Sequence, residues 1–121
     1  MNKVYQKQFY IKDKQNGDCL RACLETITGI ALPIFPKISV YITILKHHGW
    51  NIEADEQLEY LEFRNNENEE FYISIGDGGR GTLHATIIDK KGNLLHDPYH
   101  NGTGNLNTKE VIVLYKIDKK I

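Results

Sequence analysis

Cysteine is scarce: Cys19 and Cys23 are the only two in the chain. Two are too few for the disulfide framework of a small secreted scaffold. They stand four positions apart, on one face of an expected helix, where a mutual bridge would strain the backbone. An excess of either charge is missing too, since 15 Lys plus Arg against 16 Asp plus Glu leave a net charge of −1. That balance argues against a dedicated nucleic-acid binder and against electrostatic docking to an anionic membrane. Long apolar runs are lacking. The most apolar stretch, 27–45, is interrupted by Pro33, Pro36 and Lys37 and does not make a transmembrane helix. The opening MNKVYQKQFYIKDK has no signal-peptide core. The expectation is a cytoplasmic protein with neither nucleic acid nor membrane as partner. Internal repeats and low-complexity tracts are also absent.

What is present is a globular composition. Hydrophobic residues make up 40% and charged residues 26% of 121 residues, which fits one domain spanning 1–121. Residues 4–11 suit a short strand or extended arm. Asp18 is placed to cap a helix, CLRACLETITG, in which Leu20, Cys23, Leu24 and Ile27 recur at helical spacing and Gly29 is the stop. Residues 30–36 read as a loop. KISVYITILKHH (37–48) mixes β-branched residues with a helical length, and its closing HHG favours a helix stopped at Gly49. Residues 50–61 suit a short strand or a short helix, and 64–70 a solvated loop. FYISIG (71–76), TLHATIID (82–89), NLLHDPY (93–99) and EVIVLYKI (110–117) read as strands separated by glycine-rich turns. Helices first and antiparallel strands last predict an α+β fold.

Cys19 is the first chemical candidate. It sits at the expected helix start, where unpaired N–H groups and the helix dipole favour a thiolate nucleophile. Cys23, one turn further on the apolar stripe, reads as core. Of the five histidines, His47 and His48 suit helix C-terminal capping. His84 follows the flexible GDGGRG loop and is the candidate base. If Lys91-Gly92 forms a two-residue turn, His84 lies opposite Tyr99 and Thr86 opposite Asp97. His84 and Asp97 are then diagonal neighbours on one face, within reach of each other. A three-residue turn would shift the register and bring His96 there instead. Gln15 or Asn16, with the Cys19 amide, are candidate oxyanion donors.

QNGDCLRACL (15–24), followed by Leu83-His84-Ala85 and His96-Asp97-Pro98, resembles papain-like cysteine peptidases. The nearest likeness is to the branch that removes double-glycine leaders from bacteriocins, and to small bacterial and phage relatives. The resemblance implies a papain-like domain in which the cysteine-bearing helix packs on an antiparallel sheet of about four strands. It further implies Cys19 as nucleophile, His84 as general base, Asp97 as orienter, a peptide or protein substrate, and no cofactor. The family glutamine lies further upstream, where this chain has Asp13, so Gln15 or Asn16 would stand in. The implied activity is cysteine-dependent acyl transfer by a peptidase, isopeptidase or related deamidase or transglutaminase. Two other readings stand beside it. One is a non-catalytic binding or inhibitor module on a papain-like fold. The other is a structural zinc protein using Cys19, Cys23, His96 and His100, whose pairs echo zinc-ligand spacings but lie far apart in the chain.

Overall fold

A computed structural model describes residues 2–7, 18–34, 37–64, 69–77, 83–99, 102, 104–105 and 107–117. Its elements run, in chain order, α1 (Cys19–Thr28), α2 (Ile38–His47), β1 (Trp50–Glu56), a 3-10 helix (Leu58–Phe63), β2 (Glu70–Asp77), β3 (Leu83–Ile88), β4 (Leu94–His96) and β5 (Asn107–Lys116). The strands form one open antiparallel sheet in the order β1-β5-β2-β3-β4. The fold is therefore α+β, with five strands where about four were expected. The additional strand is β1. Its sequence WNIEADE is rich in acids, and pairing with β5 holds it at the sheet edge.

Both helices end as the sequence predicts. Gly29 adopts φ 71 and closes α1, and Gly49 adopts φ 85 just after α2. α2 is helical despite its β-branched residues because Tyr41 and Leu45, one turn apart, are both buried in the core. Burying each such side chain contributes about 1.5–3 kcal/mol, more than the propensity deficit of a few β-branched residues. His48 caps the end by donating Nδ1–H to the Ile44 carbonyl at 2.9 Å.

Asp18 departs from expectation. It occupies the N-cap position of α1 but its carboxylate makes no capping bond. The carboxylate instead accepts from Arg21 Nε at 2.7 Å and from the Lys7 amide at 3.1 Å.

The sheet is covered on both faces. Cys23, Leu24 and Ile27 of α1, with Tyr41 and Leu45 of α2, pack against Ile73, Ala85, Ile87, Ile112 and Leu114. Leu61 of the 3-10 helix packs with Tyr72, Ile88, Val111 and Val113. β5 thus buries four consecutive residues, 111–114, and its near-continuous apolar run fits a central strand. Arg64 ties β1 to β2 by pairing with Glu53, with Glu70 at 2.7 Å and with Glu56 at 3.8 Å.

The segment 2–7 lies outside helix and strand and bends at Lys7. The expected arm to residue 11 continues outside the described residues. No described helix is long and apolar enough to cross a membrane.

Candidate active site

Cys19 is the first residue of α1 and is half-buried. The first helical hydrogen bond is donated by the Ala22 amide to the Asp18 carbonyl at 3.0 Å. The amides of residues 19–21 therefore precede the helical ladder, and the helix start gathers donors beside the thiol. Arg21 lies just behind it, 1% exposed, held between Asp18 and Glu25, which it meets through Nη1 at 2.6 Å.

His84 is the second residue of β3 and is 3% exposed. Its Nε2 lies 2.6 Å from Asp97 Oδ1. Asp97 follows directly on β4 and is also buried. Because an ionised carboxylate only accepts, Nε2 carries a proton and donates it. Nδ1 is then the ring nitrogen that Asp97 does not take, and the Cys19 side chain acts on the same ring. Tyr99 sets its ring edge-on to His84, with centroids 6.5 Å apart and planes at 88°.

Electrostatics follow from these contacts. Burial pulls the His84 pKa down, but hydrogen bonds to Asp97 and Cys19 and their negative charge more than reverse this, raising it to about 9. His84 is thus an imidazolium at neutral pH, with the Asp97 carboxylate and the Cys19 sulfur as its neighbours. Burial pushes Asp97 up, yet the bond to His84 and the amides of Tyr99 and Gly104 carry it below the usual carboxylate range. Those amides reach Oδ1 at 2.9 Å and Oδ2 at 3.0 Å.

The cradle of Asp97 comes from residues that the sequence reading passed over as a glycine-rich turn. Gly102 lies against the carboxylate so closely that a Cβ would stand 2.3 Å from Oδ2. Gly104 uses φ 91, a left-handed conformation suited to glycine, to present its amide to Oδ2. Asn105 then latches the loop to the sheet, donating Nδ2–H to the His84 carbonyl at 3.0 Å and to Ser74 Oγ at 3.0 Å. The readable signal was NGTGN two residues after Asp97-Pro98, two glycines and two asparagines in a loop that must fold back on a buried acid.

The structure brings Cys19, His84 and Asp97 together. Gln15 and Asn16 lie outside the described residues. Cys23 is fully buried and donates Sγ–H to the Ala85 carbonyl at 3.5 Å. Burial first, then the charges of Cys19 and Asp97, push its thiol well up, so it stays protonated. His96 is engaged elsewhere, its Nε2 2.7 Å from the Val4 carbonyl. Of the zinc quartet, then, Cys23 and His96 are engaged elsewhere and His100 is outside the described residues. No cluster of three or more side chains arranged to hold a metal occurs among the described residues. No family model, no curated protein and no solved structure matches the chain.

Proposed function

We propose that the protein is a cysteine-dependent acyl-transfer enzyme of papain-like type, acting in the cytoplasm on an amide or isopeptide bond of a peptide or protein. The observation that carries this reading is His84, buried, with Nε2 bonded to Asp97 and with Cys19 near enough to help raise its pKa. A histidine placed only for packing needs one partner at most. Here the carboxylate fixes the tautomer and leaves the other nitrogen to serve the thiol.

The reaction then runs as follows. The Cys19 proton resides on His84, and the thiolate attacks the substrate carbonyl carbon. The amide N–H of Cys19, with Gln15 or Asn16, holds the oxyanion. The imidazolium returns its proton to the departing amine as the C–N bond breaks, leaving a thioester. Water, deprotonated by His84, attacks the thioester carbonyl, and the acid is released as the thiol is restored. Asp97 holds the ring and its charge throughout. An amine attacking in place of water would give transamidation with the same residues.

Iodoacetamide alkylation tests the proposal, with mass spectrometry separating the two cysteines. Cys19 should react rapidly near neutral pH, Cys23 should stay silent while the chain is folded, and His84→Gln should slow Cys19 by at least about tenfold if the ring supplies the base. Incubation with p-nitrophenyl acetate should leave an acetyl group on Cys19 with a burst of nitrophenolate. A Cys19 that reacts as an ordinary exposed thiol, whatever stands at position 84, rejects the enzyme and leaves a binding module.

A further inference from the structure

We propose that the N-terminal segment 2–7 is a brace tying the nucleophile helix to the carboxylate hairpin, with Thr26 and His96 as positioning residues at its two docks. The proposal rests on the acyl-transfer reading of Cys19, His84 and Asp97. α1 and β4 each pack on β3. The segment joins these two outer elements directly.

Its helix-side dock has three links. Thr26 Oγ1 accepts the Val4 amide at 2.8 Å, the Asp18 carboxylate accepts the Lys7 amide at 3.1 Å, and Arg21 Nη2 donates to the Tyr5 carbonyl at 3.4 Å. The strand-side dock has His96 Nε2 donating to the Val4 carbonyl at 2.7 Å and the Pro98 carbonyl accepting the Gln6 amide at 2.9 Å. The Tyr5 ring adds an edge contact to His96, with centroids 5.0 Å apart. Val4 is pinned from both sides, its amide to the helix and its carbonyl to the hairpin.

The residues that receive the segment are the chain neighbours of the chemistry. Asp18 precedes Cys19, and His96 and Pro98 flank Asp97. A shift in the segment is therefore transmitted to the backbone on which the nucleophile and the orienter stand. The segment also walls a groove of about 250 Å³, lined by Lys3, Tyr5, Leu94 and Leu95, that reaches Asp97. Losing the wall opens the buried carboxylate to water. Reacting groups tolerate little of this, since a misplacement of ~1 Å costs on the order of 10²-fold in rate.

The buried ionic group fits the same role. Asp18 serves the segment, not the helix cap, and Arg21, which it shares with Glu25, offsets its charge out of solvent. Burial lowers the Arg21 pKa, but the bonds to Asp18 and Glu25 outweigh it and raise the value, so the clasp stays charged.

Three variants test the brace in the full chain. Thr26→Val removes the acceptor for the Val4 amide. His96→Leu removes the donor to its carbonyl. His96→Gln keeps an N–H at similar reach. Two readouts apply, the iodoacetamide rate at Cys19 and the titration of the His84 ring by NMR, with urea unfolding to verify that each variant is folded. Thr26→Val and His96→Leu should each slow Cys19 by about tenfold or more and move the His84 titration from about 9 towards the ordinary histidine range. His96→Gln should stay close to native. The double variant Thr26→Val/His96→Leu should be no worse than the worse single, because both release one segment. Native reactivity and native titration in the folded double variant overturn the brace. If Cys19 of the native chain ignores His84→Gln, the acyl-transfer reading fails by itself, and the His84 titration alone then decides the brace.

Discussion

His84 and Asp97 meet at 2.6 Å because two irregularities in one hairpin cancel. The turn is not the two-residue Lys91-Gly92 turn. The Asp89 amide donates to the Asn93 carbonyl at 2.9 Å, enclosing three residues, Lys90 to Gly92, with Gly92 at φ 93. This is the three-residue loop with a left-handed third position. Alone it would bring His96 to the diagonal of His84. A bulge between the pairs Ile88↔Leu94 and Ile87↔His96 inserts Leu95 and restores the register that carries Asp97 there.

Deleting Leu95 should show whether register alone sets this contact. The residue is 48% exposed, so its loss costs little packing. Because Leu95 is the extra residue, its removal straightens the ladder but leaves His96 opposite Ile87, and Asp97 keeps the face it shares with His84. The His84 ring should then still titrate at about 9, and Cys19 should keep its enhanced alkylation. A titration near the ordinary histidine value in the deletion variant would show that the local kink of the bulge, and not the register, sets the contact.

The raised His84 pKa also shapes stability. The folded value of about 9 exceeds the unfolded value of roughly 6.5. The folded chain therefore binds this proton more tightly, and the stabilisation is fully present below about 6.5 and lost as pH rises through about 9. Asp97 acts in the opposite sense. Its folded pKa is depressed, so its contribution holds above the usual carboxylate range and fades as pH falls below it. Urea unfolding of the native chain and of His84→Gln across pH 6 to 10 should give two curves that differ most at the acid end and converge at the alkaline end. Parallel curves would mean that the imidazolium adds nothing to folding.

Much of this architecture was legible from residue pattern. α1 could be read from Leu20, Cys23, Leu24 and Ile27 with Gly29 as its stop, and α2 from its length and Gly49. The strands β2, β3 and β5 announced themselves as β-branched runs between glycine-rich turns. β1 did not, because Glu53 and Glu56 sit where an apolar alternation would be sought. They are tolerated there through Arg64, a partner eight or more residues away. The candidate residues Cys19, His84 and Asp97 could be read from chemistry and diagonal geometry. The cradle around Asp97 could not, since it is made of backbone amides and of space that only glycine leaves empty. Asp18 misled for a related reason. Its side chain suits a cap, and nothing local reveals that the segment at Lys7 returns to claim it.

The last prediction separates holding the fold from holding the site. Gly102→Ala puts a methyl group 2.3 Å from the Asp97 carboxylate. The carboxylate is held by the Tyr99 and Gly104 amides and by His84, so either the acid or the loop must move, at a cost of about 1–3 kcal/mol. Arg64→Met removes a different kind of support. It leaves Glu53 of β1 and Glu70 of β2 without their shared cation, and costs about 1.5–3 kcal/mol for lost bonds to a charged group. The two variants should thus lose comparable stability in urea. Only Gly102→Ala should slow Cys19 alkylation and lower the His84 titration, because only that change reaches the carboxylate. Equal losses of Cys19 reactivity in both would tie that reactivity to global stability and refute the proposed role of Asp97 as orienter.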